Sequence, residues 1–131
     1  MREPEVDRFR RILALVYVGE TLVNAEMLRS GGAVYEGQGG SQVEELRKAT
    51  KVARDKKLGI FSALCTQNEN PENPQCNIKG NIERVHNTKK YHLPGCKSYN
   101  ETSIEKYLGE QWFCTEEEAT KAGYLKDGDC H

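Results

Sequence analysis

The sequence predicts an α+β fold in two parts, and three observations carry that reading. Residues 12–18 form an apolar run of strand type, followed by two segments whose apolar residues recur at helical spacing. The five cysteines, Cys65, Cys76, Cys96, Cys114 and Cys130, all lie in the second half among short strand-like runs. Between these regions "TQNENPENPQ" (residues 66–75) is polar, carries two prolines and has no periodicity. The expected division is residues 1–65, a linker at 66–75, and a small cysteine-rich α+β unit at 76–131.

The elements follow in order. In residues 12–18, Leu13, Leu15 and Tyr17 alternate with Ile12, Ala14, Val16 and Val18, so both faces are apolar and a strand covered on both sides is expected. Gly19-Glu20 ends it. Thr21 is a plausible N-cap for a short helix, "LVNAEMLRS", stopped by Gly31-Gly32. "GQGG" (residues 37–40) reads as a flexible loop. Ser41 opens a second helix with Val43, Leu46, Ala49, Thr50 and Ala53 on one face. Glu44 and Glu45 near its start, and Arg54, Lys56 and Lys57 near its end, suit the helix dipole. In the second unit "CNIKGNIERV" and "KKYHL" read as an antiparallel pair around His86-Asn87-Thr88, and "EQWFC" as a third strand. Thr115-Glu116-Glu117-Glu118 has the form of a capping box before a short helix that Gly123 ends.

Charge and cysteine usage bound the function. The formal net charge is -1, so no global basic field advertises nucleic acid. Residues 1–60 hold 11 Lys/Arg against 9 Asp/Glu, and residues 61–131 hold 8 against 11. The apolar run is too short to span a membrane, and "MREPEVDRFRR" has no apolar core of a signal peptide, so no membrane partner is expected. The cysteine density points to disulfides and a secreted or periplasmic location, and the odd count leaves at least one cysteine free, shared or on a metal.

The cysteines admit two chemistries. "HLPGC" has H-x-x-x-C spacing and the chain ends in Cys130-His131, so tetrahedral zinc would accept His92, Cys96, Cys130 and either Cys114 or His131. Disulfides are the preferred alternative. The connectivity is open; the positions beside strands favour Cys76–Cys114 and Cys96–Cys130, with Cys65–Cys76 as the rival. Trp112-Phe113 reads as core rather than a base-stacking platform. The basic residues of 44–57 read as a solvated face, and the sequon Asn100-Glu101-Thr102 as chance.

A resemblance sharpens the first part. "DRFRRILALVYVGETLVNAEMLRSGGA" resembles the later half of the staphylococcal-nuclease (thermonuclease) family, matching at Asp7, Arg8, Phe9, Arg11, Leu13, Ala14, Tyr17, Val23, Asn24, Arg29, Gly31 and Ala33. "LRKATKVARDKKLGIFS" (residues 46–62) resembles that family's last helix and exit. The resemblance implies a partial OB-type domain, its last barrel strand plus two helices. It implies a calcium-dependent phosphodiesterase acting on DNA or RNA, with Arg11 in the place of an active-site arginine and Arg8 and Phe9 where a terminal phosphate is contacted. The aspartates that hold calcium, the general-base glutamate and the other catalytic arginine belong to earlier strands without a counterpart in this sequence. The portion is therefore expected to be inactive alone. A lone barrel strand has two open edges, so self-association or completion by a missing N-terminal segment is expected. The alternative is a non-catalytic nucleic-acid- or protein-binding module.

The second unit resembles an extension found after nuclease domains in some bacterial proteins. The matching residues are Cys76, Ile78–Ile82, Tyr91, His92, Pro94, Gly95, Gly109, Glu110, Trp112–Glu116, Glu118, Ala119, Ala122 and Gly123. It also resembles, more distantly, small zinc-binding modules.

Overall fold

A computed structural model describes residues 2–37 and 40–130. The chain divides into two compact units, Met1–Ser62 and Ala63–His131. Helices and strands mix in both, so the fold is α+β.

The first unit opens on a hairpin. Strand β1 (Arg2–Val6) runs antiparallel to β2 (Ile12–Leu15), with Glu5 opposite Leu13 and Val6 opposite Ile12. This corrects the expectation of a strand with two open edges: a charged, proline-containing segment pairs along one of them. The apolar run is also not one strand covered on both faces. It breaks at Val16 into β2 and β3 (Tyr17–Val18), because Asn24 takes the Val16 N–H on its Oδ1 at 2.8 Å and donates from Nδ2 to the Ala14 carbonyl at 3.2 Å. Leu15 is buried, whereas Ile12 and Val18 are 67% and 71% exposed. Thr21 does not cap a helix. It pairs with Val18 as part of β4 (Thr21–Leu22), and helix α1 (Val23–Arg29) starts after it.

Helix α2 (Val43–Asp55) packs on α1. Leu46 and Ala49 of α2 meet Ala25 and Leu28 of α1, with Leu15 and Leu22 closing the cluster. Each large side chain buried there contributes about 1.5–3 kcal/mol. A single 3₁₀ turn, Gly59–Phe61, ends the unit. Its Ile60 N–H returns to the Gly31 carbonyl at 3.0 Å. Both Gly31 (φ +74°) and Gly59 (φ +53°) sit in the left-handed region, and the two backbones pass too closely for any side chain.

The second unit is built on a four-stranded sheet. Its order is β10 (Leu125–Lys126), β7 (Thr88–His92), β6 (Ile78–Glu83), β9 (Gln111–Phe113). The β10–β7 pair is parallel and the others antiparallel. Ile78, Tyr91, Phe113, Ala119 and Tyr124 form the core, with the Phe113 and Tyr124 rings edge to face at 5.1 Å. Helix α3 (Glu116–Lys121) is capped reciprocally. Thr115 Oγ1 accepts the Glu118 N–H at 3.2 Å, and the Glu118 carboxylate accepts the Cys114 N–H at 2.8 Å.

Residues 66–75, expected as a linker, belong to this unit. Strand β5 (Thr66–Gln67) pairs with β8 (Ile104–Glu105), and Gln67 is buried with its Oε1 accepting the Trp112 indole N–H at 2.9 Å. Asn70 Oδ1 accepts the N–H groups of Glu72 and Asn73, and Asn70 Nδ2 donates to the Cys76 carbonyl. The polar composition that suggested a linker is instead turn chemistry.

Disulfides join Cys76 to Cys114 and Cys96 to Cys130, and Cys65 remains a thiol, so the rival Cys65–Cys76 bond is not formed. The zinc set His92, Cys96, Cys114, Cys130 is not assembled, because Cys114 is committed beside Cys76, at the edge where β6 meets β9. His131, the other candidate for that set, lies outside the described residues, as do Gln38 and Gly39 of the expected flexible loop.

Candidate nucleic-acid interface

The loop between β1 and β2 carries the arginines. Asp7 builds it: its N–H donates to the Arg11 carbonyl at 3.0 Å, and its own carbonyl accepts the Arg10 N–H at 2.9 Å. Asp7 Oδ1 accepts the N–H groups of Phe9 (2.8 Å) and Arg11 (2.9 Å), the pattern by which aspartate stabilises tight turns. Arg10 closes the turn in the left-handed region at φ +64°.

The same carboxylate orients Arg11. Its Oδ2 accepts the Arg11 Nε–H at 2.6 Å, while the Arg11 side chain stays 70% exposed. The guanidinium is thus held from its Nε side with its outer edge toward solvent, as a phosphate requires. Phe9 is exposed between two cations: the Arg8 and Arg11 guanidinium carbons lie 4.8 Å and 5.3 Å from its ring centre. The hydrogen bond from the Arg11 backbone does most to hold the Asp7 carboxyl below the usual carboxylate range; burial opposes it, and the Arg11 side chain and the Phe9 N–H add to the lowering.

These residues open onto a groove of ≈ 1030 Å³. Arg8, Phe9 and Arg11 line one side, Asn24 and Met27 come from α1, and Tyr35 and Glu36 from the segment after it. The structure therefore brings Arg8, Phe9 and Arg11 into one place. Tyr35, Met27 and Glu36 were not singled out in the sequence, where nothing local marks them; Met27 comes with α1, and the return of the chain after α1 brings Tyr35 and Glu36.

Calcium does not fit this loop. It takes six to eight oxygen ligands, and both Asp7 oxygens are already committed to N–H donors of the loop. Among the described residues the only convergence of three or more His, Cys, Asp or Glu ligand atoms is His92, Asp129 and Cys130, in the second unit. No helix among the described residues is long and apolar enough to cross a membrane.

No curated protein and no solved structure matches the chain. The family model described as staphylococcal nuclease homologue matches residues 1–63. The strand-loop arginines, the Asn24 bridge and the paired helices all lie within that match, so residues 1–63 are similar to a staphylococcal nuclease homologue.

Proposed function

We propose that residues 1–63 are the arginine-bearing portion of an OB-type, thermonuclease-like phosphodiesterase domain. In this reading Arg11 and Arg8 grip a phosphate of DNA or RNA, and Phe9 lies against the adjoining sugar or base. The observation that carries it is the double hold of Asp7 on Arg11, which presents an oriented and exposed guanidinium beside an exposed aromatic ring. The family match suggests the nuclease-like function.

Hydrolysis also needs a held cation, an activated water and charge stabilisation at the phosphate. The loop supplies the last of these and no vacant carboxylate. The domain by itself therefore binds nucleic acid and does not cleave it. The exposed Val6, Ile12 and Val18 support self-association or cover by a further segment at β1–β2. The second unit is the proposed extension module. Its two disulfides support an oxidising location, secreted or periplasmic.

The test is binding of a short fluorescent single-stranded DNA, read by anisotropy across a salt series, together with cleavage in calcium and in chelator. Arg8→Ala and Arg11→Ala should each lower the slope of log affinity against log salt by ~0.7, one phosphate contact for a single strand. Unchanged slopes would remove the nucleic-acid reading and leave the second one, a protein-binding module, which the exposed apolar residues of β1–β3 favour. Chelator-sensitive cleavage lost in Arg11→Ala would show that the active site is completed by another chain.

A further inference from the structure

The Cys96–Cys130 disulfide lies among metal-ligand atoms. Cys130 Sγ, a ring nitrogen of His92 and a carboxylate oxygen of Asp129 all lie within 4.8 Å of one another. Cys96 Sγ is not one of these mutually close atoms and reaches them through its bond to Cys130 Sγ. Two sulfurs, one imidazole nitrogen and one carboxylate oxygen match tetrahedral zinc in number and type. The Cys76–Cys114 disulfide has no such neighbours among the described residues.

The surrounding contacts orient these groups. His92 ends β7, and a tight turn closed by the Cys96 N–H on the Leu93 carbonyl (3.0 Å) brings Cys96 back beside it. The Leu93 N–H points at Cys96 Sγ from 3.1 Å, a contact that favours a thiolate. His92 Nδ1 meets Ser98 Oγ at 3.1 Å. The Ser98 N–H donates to Asp129 Oδ2 at 2.7 Å, and Asp129 Oδ1 lies 3.6 Å from Cys130 Sγ. Contacts of this kind fix the orientation of ligands around protein-bound metals.

We propose that the Cys96–Cys130 disulfide is a redox gate on a metal site. When it is reduced, His92, Cys96, Asp129 and Cys130 bind one divalent cation of the zinc class. The reaction has two steps. A dithiol reductant delivers two electrons and two protons to the S–S bond, giving two thiols and its own cyclic disulfide. The cation then binds as two thiolates form, releasing two protons to solvent. A disulfide oxidant, taking up the two electrons and two protons as it becomes its dithiol, reverses both steps and expels the metal. This site thus has one cross-link in an oxidising medium and another in a reducing one.

The test uses the full chain and cobalt(II) as the probe. Reduction is by a trialkylphosphine, which leaves as the phosphine oxide carrying a water oxygen and adds no competing thiol. The oxidised chain should bind no cobalt. The reduced chain should bind one equivalent, with the intense visible bands of tetrahedral cobalt, a thiolate charge-transfer band, and displacement by zinc. His92→Ala and Asp129→Asn, which keep the disulfide and can be purified folded in the oxidised state, should each weaken binding ~10-fold or more. The double variant Cys76→Ser/Cys114→Ser should retain the charge-transfer band. A reduced chain that takes up no cobalt, folded or unfolded, overturns the proposal. So does a charge-transfer band that survives Cys96→Ser/Cys130→Ser.

Discussion

Asp7 holds Arg11 twice: its Oδ1 accepts the Arg11 backbone N–H at 2.9 Å, and its Oδ2 accepts the side-chain Nε–H at 2.6 Å. One carboxylate thereby shapes the loop and aims the guanidinium. The backbone bond has the larger effect in lowering the Asp7 pKa. A lowered folded-state pKa adds stability that is present above the ordinary aspartate value, near 3.9, and is lost as pH falls through the lowered one. The carboxyl carbon of Asp7, followed by NMR, should titrate below the ordinary value. In Arg11→Ala the midpoint should rise only part of the way, because the backbone N–H remains. A complete return would mean that the side chain alone sets it.

Gly31 and Gly59 test the close approach of two backbones. A Cβ on Gly31 would lie 2.2 Å from the Leu58 carbonyl oxygen, and one on Gly59 would lie 2.2 Å from the Gly31 oxygen. The left-handed backbone costs a non-glycine residue ~1–2 kcal/mol, and overpacking adds ~1–3 kcal/mol. Gly31→Ala and Gly59→Ala should each destabilise the first unit by ~3 kcal/mol in thermal or urea unfolding. Gly37, at φ +75° with nothing near its would-be Cβ, supplies the contrast: Gly37→Ala should cost only ~1–2 kcal/mol. Equal losses at all three sites would refute the contact.

Lys79 is a buried cation of the second unit. It is 1% exposed, its Nζ donates to the Tyr99 and Thr102 carbonyls at 2.8 Å and 2.5 Å, and it lies 4.1 Å from the centre of the Tyr99 ring. Burial pushes its pKa down, while Glu69 opposes the shift. Lys79→Met keeps the stem and strands two carbonyls, each costing ~1–3 kcal/mol when left unpaired in the interior. A loss of ~2–4 kcal/mol is expected. Urea unfolding followed by fluorescence of Trp112, the chain's one tryptophan, measures it. A loss below ~1 kcal/mol would show that the carbonyls find other donors.

The disulfides make a counting prediction. Alkylation of the folded, unreduced chain should modify Cys65 alone in a denaturing mass assay, and full reduction should expose five thiols. The Cys76–Cys114 bond spans 38 residues. Chain-entropy reasoning assigns a loop of that size ~4 kcal/mol, so Cys76→Ser/Cys114→Ser should lose about that much stability. More than one reactive thiol before reduction would contradict the pairing.

What the sequence determined by itself is local. The apolar stripe Leu46, Ala49, Ala53 is a relation between residues three and four apart, and α2 buries those side chains. The cap at Thr115 and the turn between β6 and β7 are likewise encoded within a few residues. Arg8, Phe9 and Arg11 were picked out through a family resemblance, whereas the hold of Asp7 on Arg11 that orients them appears only in the fold. Tertiary structure decided what depends on distant partners. Arg2–Val6, charged and with a proline, has no strand pattern until β2 offers backbone groups to pair. The apolar run breaks at Val16 only because Asn24, eight residues on, takes its N–H. Residues 66–75 read as a linker because their fixing contacts, Gln67 to Trp112 and Thr66 to Glu105, cross forty residues or nearly so. Lys79 gives no sign of burial in "IKGNI", because the carbonyls that make it tolerable lie twenty or more residues away. Periodicity and capping act over single turns of chain, whereas the satisfaction of a buried polar group depends on whatever the fold brings beside it.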